Sequence, residues 1–236
     1  MTKAPIAVAL DAPDLAVLRA WSRAVAPVVS TLKVGLEVFC RDGAAAVHAA
    51  RLGASEVGSA DVQIFLDLKL HDIPATVAGA ARAVAELEPS FLTVHASGGA
   101  AMIEAAALAL PDTRIVAVTV LTSMDDATLQ SIGMAGPAID AAVRLAVMAV
   151  NAGARAIVCS PLEVAAIRSE VPAEIVLITP GVRPAGAAVN DQKRVATPQE
   201  AIAAGADLLV IGRPITGAPD LTEAAWNIAQ QLGTEV

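Results

Sequence analysis

The sequence predicts an α/β fold: a closed, parallel, eight-stranded (β/α)8 barrel of the TIM type, with residues 1–236 forming one catalytic domain. Three observations predict it. Short β-branched runs alternate with alanine-rich helical stretches eight times, which argues for a parallel sheet closed on itself. The first run ends Leu10-Asp11-Ala12-Pro13 without a glycine-rich phosphate turn, which weighs against the alternative, an open doubly wound sheet. Eight such units in 236 residues match the size of a single α/β barrel, commonly about 250 residues.

In chain order the strands are expected over residues 6–11, 31–35, 63–69, 91–96, 114–121, 156–160, 175–179 and 208–212. Each is a short run rich in Val, Ile, Leu, Thr or Phe bounded by polar residues or turn formers. Between them the helical stretches are 14–26, 42–52, 73–87, 100–110, 139–151, 162–171, 198–204 and 221–232. Thr197-Pro198 reads as an N-cap followed by proline in the first turn. Gly53, Gly153 and Gly205 stand where C-terminal glycines belong.

Composition restricts the partners. The chain is 56% hydrophobic, much of it alanine, yet no window offers the roughly 18 uninterrupted apolar residues of a membrane span. The start, Met1-Thr2-Lys3-Ala4-Pro5, lacks the apolar core of a secretory signal, so a cytoplasmic protein is expected. Net charge is −8, and there are two Trp, three Phe and no Tyr, a poor basis for a nucleic-acid surface. Cys40 and Cys159 have no ligand spacing and read as small buried hydrophobes. The expectation is a small-molecule substrate, with no metal, no nucleic acid and no membrane.

Strand three is the most informative: Phe65-Leu66-Asp67-Leu68-Lys69-Leu70-His71-Asp72. Side chains alternate with period two, so Phe65, Asp67 and Lys69 share one face while Leu66, Leu68 and Leu70 suit contact with helices. Strand two repeats the logic, with Lys33 and Gly35 turned inward and Leu32, Val34 and Leu36 outward. Lys33, Asp67, Lys69 and Asp72 are thus expected to converge at the active end. A buried salt bridge that only closes the barrel is the bland reading, but buried charge contributes little to stability, and four charges at one end favour chemistry. The loops after strands seven and eight supply Gly181, Arg183, Gln192, Gly212 and Arg213, suited to a phosphate. Residues 184–191, rich in Ala and Gly, read as a mobile lid. His95, in phase with Thr93 and Ser97, reads as a hydrogen-bonded interior histidine, and His48 as a solvated one.

The run Asp67-Leu68-Lys69-Leu70-His71-Asp72-Ile73-Pro74-Ala75-Thr76-Val77 resembles the signature of the orotidine 5′-phosphate decarboxylase family. The similarity continues through Leu10-Asp11, Leu32-Lys33-Val34-Gly35, Leu121-Thr122-Ser123, Pro180-Gly181-Val182-Arg183, Asp191-Gln192-Lys193-Arg194 and Ile211-Gly212-Arg213. The resemblance implies cofactor-free decarboxylation of orotidine 5′-phosphate to UMP by a homodimer. By the same resemblance Lys33, Asp67, Lys69 and Asp72 form the catalytic array, with Lys69 as proton donor and Asp72 and Thr76 reaching across the dimer. Asp11, Lys33, Asp72 and Thr76 are then expected around the ribose, Thr122 or Ser123 at the pyrimidine edge, and Ile73 among the substrate-binding residues. Pro180, Arg183, Gln192, Gly212 and Arg213 are expected around the base and phosphate. Ala75 departs from the asparagine common in the family, and residues 53–61 form a longer segment than usual. The alternatives are a metal-dependent sugar-phosphate decarboxylase or hexulose-phosphate synthase, a Schiff-base aldolase, and a non-catalytic UMP-binding protein.

Overall fold

A computed structural model describes residues 2–183 and 196–233. Eight strands form one closed barrel: β1 (Ala4–Ala9), β2 (Val29–Gly35), β3 (Gln63–Leu70), β4 (Phe91–His95), β5 (Arg114–Val118), β6 (Ala156–Val158), β7 (Val176–Thr179) and β8 (Leu208–Ile211). Each pairs in parallel with the next, and β8 closes on β1 through Ile6 against Leu209, Ala7 against Val210 and Val8 against Ile211. The predicted fold and all eight strands are present, most of them ending earlier than expected. The polar residues that follow belong to the connecting loops, where backbone groups are released from the ladder.

The helices around the barrel are α1 (Leu15–Val25), α2 (Leu36–Asp42), α3 (Ala44–Ser55), α4 (Pro74–Ala83), α5 (Ala100–Ala109), α6 (Asp126–Ser131), α7 (Ala138–Asn151), α8 (Val164–Glu170), α9 (Pro198–Ala203), α10 (Arg213–Thr216) and α11 (Leu221–Gln231). Three of these were not foreseen: α2, α6 and α10, each too short to show a helical period. Gly43, at φ 58°, separates α2 from α3, so the stretch expected from residue 42 begins only after it. The expected cap at Thr197 forms: its hydroxyl accepts from the Glu200 N–H while the Glu200 carboxylate accepts from the Thr197 N–H. Gly153 and Gly205 follow α7 and α9 in the left-handed region, as glycines at helix ends do.

Gly53 does not end a helix; it lies inside α3. A β-carbon there would overlap the Arg19 carbonyl oxygen of α1 and press on Ser22. The residue is small because α1 and α3 lie close together. The alanines serve the same geometry. Ala46, Ala50 and Ala54 of α3 and Ala142, Ala146 and Ala149 of α7 are fully buried against the barrel, where small side chains bring helix and sheet together with little rotamer entropy to lose.

Apolar burial falls into two layers. Outward residues such as Val8, Leu32, Leu66 and Leu92 pack with Leu18, Val47 and Ile103 of the helices. Inside the barrel, Ala7, Phe65, Phe91, Val116, Ala156, Ile178 and Leu208 form a separate core. There the Phe65 and Phe91 rings lie 5.6 Å apart, tilted at 56°. This plug closes the barrel below the inward-facing charges. Among the described residues no helix is long and apolar enough to cross a membrane.

Helix propensity alone makes Gly53→Ala stabilising by up to about 1 kcal/mol, whereas the α1–α3 contact makes it destabilising by about 2 kcal/mol. Urea unfolding decides between them, and a loss of stability is expected.

Candidate active site

At the C-terminal end of the barrel, parallel pairing sets Lys33 of β2 beside Phe65 of β3 and Gly35 beside Asp67. Both polar side chains therefore enter the lumen above the aromatic plug. The Lys33 ammonium lies 3.1 Å from Asp67 Oδ2, and the Lys69 ammonium donates to Asp67 Oδ1 at 2.7 Å. Lys33 and Asp67 are 8% and 9% exposed, so their charges interact across little water. Burial by itself raises the Asp67 carboxyl pKa, but the Lys33 and Lys69 charges and their hydrogen bonds outweigh it and hold the group down at about 2.

Lys69 reaches this position by a route that simple alternation does not provide. Phe65 and Leu66 pair with Phe91 and Leu92, yet the next partner, Val94, faces Leu70. β3 thus spends two more residues than β4 over the same rise, a bulge of the kind that re-aims side chains. Within it Lys69 has φ 48°, a left-handed conformation that costs a lysine of order 1 kcal/mol or more. Thr93 of β4 holds the bulge: its hydroxyl accepts from the Lys69 N–H at 2.8 Å and donates to Asp67 Oδ1 at 3.0 Å. The sequence gives Thr93 the inward phase that it shares with His95, and no role beyond that.

The expected fourth charge does not join this cluster within the chain. Asp72 is exposed, and its carboxylate accepts from the Ile73 N–H at 2.6 Å, with no ion pair to either lysine. The turn after β3 carries it away from the lumen. Residues 71–76, Ile73 and Thr76 among them, are all exposed, Ile73 to 66%.

Asp11 lies at the mouth beyond β1, beside Lys33. A β-carbon on Gly35 would stand 2.9 Å from Asp11 Oδ1 and 3.1 Å from the Lys33 ammonium, so a glycine leaves room for both. Thr122 and Pro180 line a cavity of about 190 Å³ with Asp67 and Lys69, over a floor of Phe65, Val118, Val158 and Val210. Ser123 lies outside that lining. These valines also went unremarked in the sequence. A larger groove, about 850 Å³, runs between α5 and α7, lined mainly by Leu108, Val143, Val147 and Met148 and remote from the lysines.

At the opposite rim, Val182 pairs with Ala196, and the Arg183 N–H donates to the Ala196 carbonyl, so the two ends of the intervening segment meet. Arg183 is half-buried, with Nη1 donating to the Val182 carbonyl. Gly212 precedes α10, and Arg213, its first residue, is exposed. Gln192 and the stretch 184–191, expected as a lid, fall outside the described residues.

Three secondary expectations change or hold. The His95 ring is half-buried and tilts against His71 at 5.5 Å, with no hydrogen bond among the described residues. Burial, then the neighbouring His71 and Lys69, lower its pKa. β4 ends at His95, so Ser97 leaves its phase. Cys40 is exposed, because α2 turns it away from the barrel, while Cys159 is buried and burial pushes its thiol pKa up. His48 is exposed as expected. Among the described residues no three His, Cys, Asp or Glu side chains converge in a metal-binding arrangement.

Residues 4–228 match the family described as "Orotidine 5'-phosphate decarboxylase / HUMPS family". A curated protein of Thermobifida fusca, named "Orotidine 5'-phosphate decarboxylase", is 65% identical over 229 residues, covering 97% of this chain and 96% of its own. One of the same name from Frankia casuarinae is 56% identical, covering 98% and 88%. The crystal structure of orotidine 5'-phosphate decarboxylase from Lactobacillus acidophilus superposes with a TM-score of 0.80 at 33% identity, covering 98% of this chain and all of that one.

The depressed Asp67 pKa has a stability consequence. Against an ordinary value of 3.8, a folded value near 2 makes a contribution that is present above about pH 4 and lost as pH falls through 2. Asp67→Asn should lower unfolding free energy at neutral pH by about 3 kcal/mol, because it strands the buried Lys33 ammonium beside the partly buried one of Lys69. The gap from wild type should narrow by about 2 kcal/mol between about pH 5 and pH 2. Denaturant titrations across that range check it, and a constant gap would remove the ion-pair account.

Proposed function

The chain belongs to the orotidine 5′-phosphate decarboxylase / HUMPS family, and we propose how its Lys33–Asp67–Lys69 array performs the reaction this membership assigns. That reaction is the decarboxylation of orotidine 5′-phosphate to UMP in pyrimidine nucleotide synthesis. The observation that carries the proposal is two ammonium groups sharing one buried carboxylate at the mouth of the barrel.

Breaking the bond between C6 and the carboxylate leaves an electron pair on C6 that the pyrimidine ring does not delocalise. A fixed positive charge beside that carbon lowers the barrier by electrostatic stabilisation already in place before reaction. Lys69 supplies the charge and then its proton: the new C6–H bond forms, CO2 leaves, and the neutral amine regains a proton from solvent. Asp67 holds the ammonium in place and, set against the substrate carboxylate, disfavours the ground state. No electron sink is called for, so no cofactor has a part in the scheme.

The remaining residues divide by position. Asp11 and Lys33, which flank Gly35, take the ribose. Thr122 and Pro180, on the cavity rim, take the pyrimidine, with Ser123 outside the lining and left to the loop. Arg183, Gly212, Arg213 and, beyond the described residues, Gln192 take the phosphate, whose binding energy fixes the reacting end. Asp72, Ile73 and Thr76 act in the site of a second copy: all three are exposed in the isolated chain, with a large apolar side chain at the centre of the group. This reading makes the working unit a homodimer.

Ultraviolet absorbance of orotidine 5′-phosphate tests the activity directly. Turnover is expected, undiminished by EDTA, and Lys69→Ala should lower kcat by about a thousandfold or more while the circular dichroism stays native. Near-normal turnover by that folded variant would remove Lys69 from the chemistry. Loss of wild-type turnover in EDTA would favour the metal-dependent sugar-phosphate branch. Shared sites have their own signature: mixing inactive Lys69→Ala and Asp72→Ala proteins should restore activity, up to about a quarter of wild type at equal proportions in a two-fold dimer. A mixture as inactive as its components would rule out the exchange of Asp72 between subunits.

A further inference from the structure

We infer that Thr93 is a positioning residue, one that locks the β3 bulge and thereby aims the Lys69 ammonium at the reacting carbon. The inference rests on the decarboxylase reading above and extends it to a side chain that touches no substrate in that reading. Thr93 is fully buried in β4, between Leu92 and Val94. A hydroxyl taken out of water in an apolar strand is unfavourable unless it is hydrogen-bonded. This one makes two bonds, and both partners belong to the array: it accepts from the Lys69 N–H at 2.8 Å and donates to Asp67 Oδ1 at 3.0 Å.

The first bond acts on backbone. Lys69 sits in the left-handed region at the point where β3 runs two residues ahead of β4, so its amide has lost the regular ladder partner. Thr93 takes that partner's place with a side-chain oxygen and fixes the orientation of the peptide from which the Lys69 side chain departs. The second bond acts on the carboxylate. Asp67 Oδ1 receives Lys69 from one side and Thr93 from another, so the oxygen that anchors the ammonium is itself anchored to the neighbouring strand. A hydroxyl can donate once and accept at the same time, whereas valine of nearly equal volume can do neither. Position is what the chemistry depends on, because displacement of a reacting group by about 1 Å can cost about a hundredfold in rate.

Three substitutions test this. Thr93→Val keeps the shape and removes both bonds, Thr93→Ser keeps the hydroxyl and loses only a methyl, and Thr93→Cys keeps the size of serine with a poor acceptor. Thr93→Val is expected to lower kcat by about 10- to 100-fold with KM unchanged; serine restores most of that loss and cysteine does not. Hydrogen exchange at the Lys69 amide gives a readout independent of turnover: it accelerates in the valine and cysteine variants and stays slow in the serine variant. Wild-type kcat and slow Lys69 exchange in Thr93→Val would overturn the assignment, and so would equal losses in the serine and cysteine variants. Should the valine variant not fold, the serine–cysteine comparison decides. If wild-type protein fails to act on orotidine 5′-phosphate, the functional reading falls, while Lys69 exchange still judges the positioning.

Discussion

One carboxylate organises the catalytic end of this barrel. Asp67 receives an ammonium on each oxygen, and without it two lysines would face each other in a nearly closed lumen. Their mutual repulsion would drive one of them out of the site or strip its proton. The three groups stand or fall together. Adjacent parallel strands supply the frame, since register fixes Lys33 and Asp67 one step apart along the lumen. The apolar plug beneath supplies the medium, because Phe65 and the valines keep water from competing for the charges.

Such a site has to be held against its own preferences. A lysine at positive φ and a bulge of two residues each oppose folding. The compensation lies in the shell between barrel and helices, where fully buried aliphatic side chains and alanines pack in one continuous layer. The cost is local and the compensation global. The charged end therefore does not need to contribute stability of its own, and its residues are free to be chosen for chemistry.

The sequence made most of this legible, for physical reasons that differ by residue. The eight strands could be read because a parallel barrel strand is buried on both faces and stands out as an apolar run. Lys33, Asp67 and Lys69 could be read because packing alone seldom places a charge inside such a run. Plain alternation puts Asp67 and Lys69 on one face, but the bulge breaks that period; the side chains meet because Thr93 re-anchors the strand. Nothing local marks Thr93 as more than a common strand residue. Asp72 looked like a member of the cluster because sequence distance was taken for spatial distance, and one turn after β3 undoes that. Gly53 misled in the opposite sense: glycine near the end of a helical stretch suggests a cap, while here it marks contact with α1. The short helices α2, α6 and α10 span too few turns to carry a period at all.

The distribution of charge bears on how binding and reaction are separated. The chain as a whole carries −8, an unwelcoming field for a substrate with a phosphate and a carboxylate. Within the lumen the balance reverses, with two cations to one anion. The attraction these lysines exert is short-ranged, because the surrounding solvent screens charge beyond about 10 Å. In the proposed mechanism the phosphate is met by arginines at the rim, and the carboxylate is brought to a place where Asp67 opposes it and Lys69 favours what remains after CO2 departs. Exposed Asp72, offered to a second copy, would add a further carboxylate to that copy's site. Its arrival would weaken nonspecific attraction for anions and leave the placement of the charges, rather than their sum, to select the reaction.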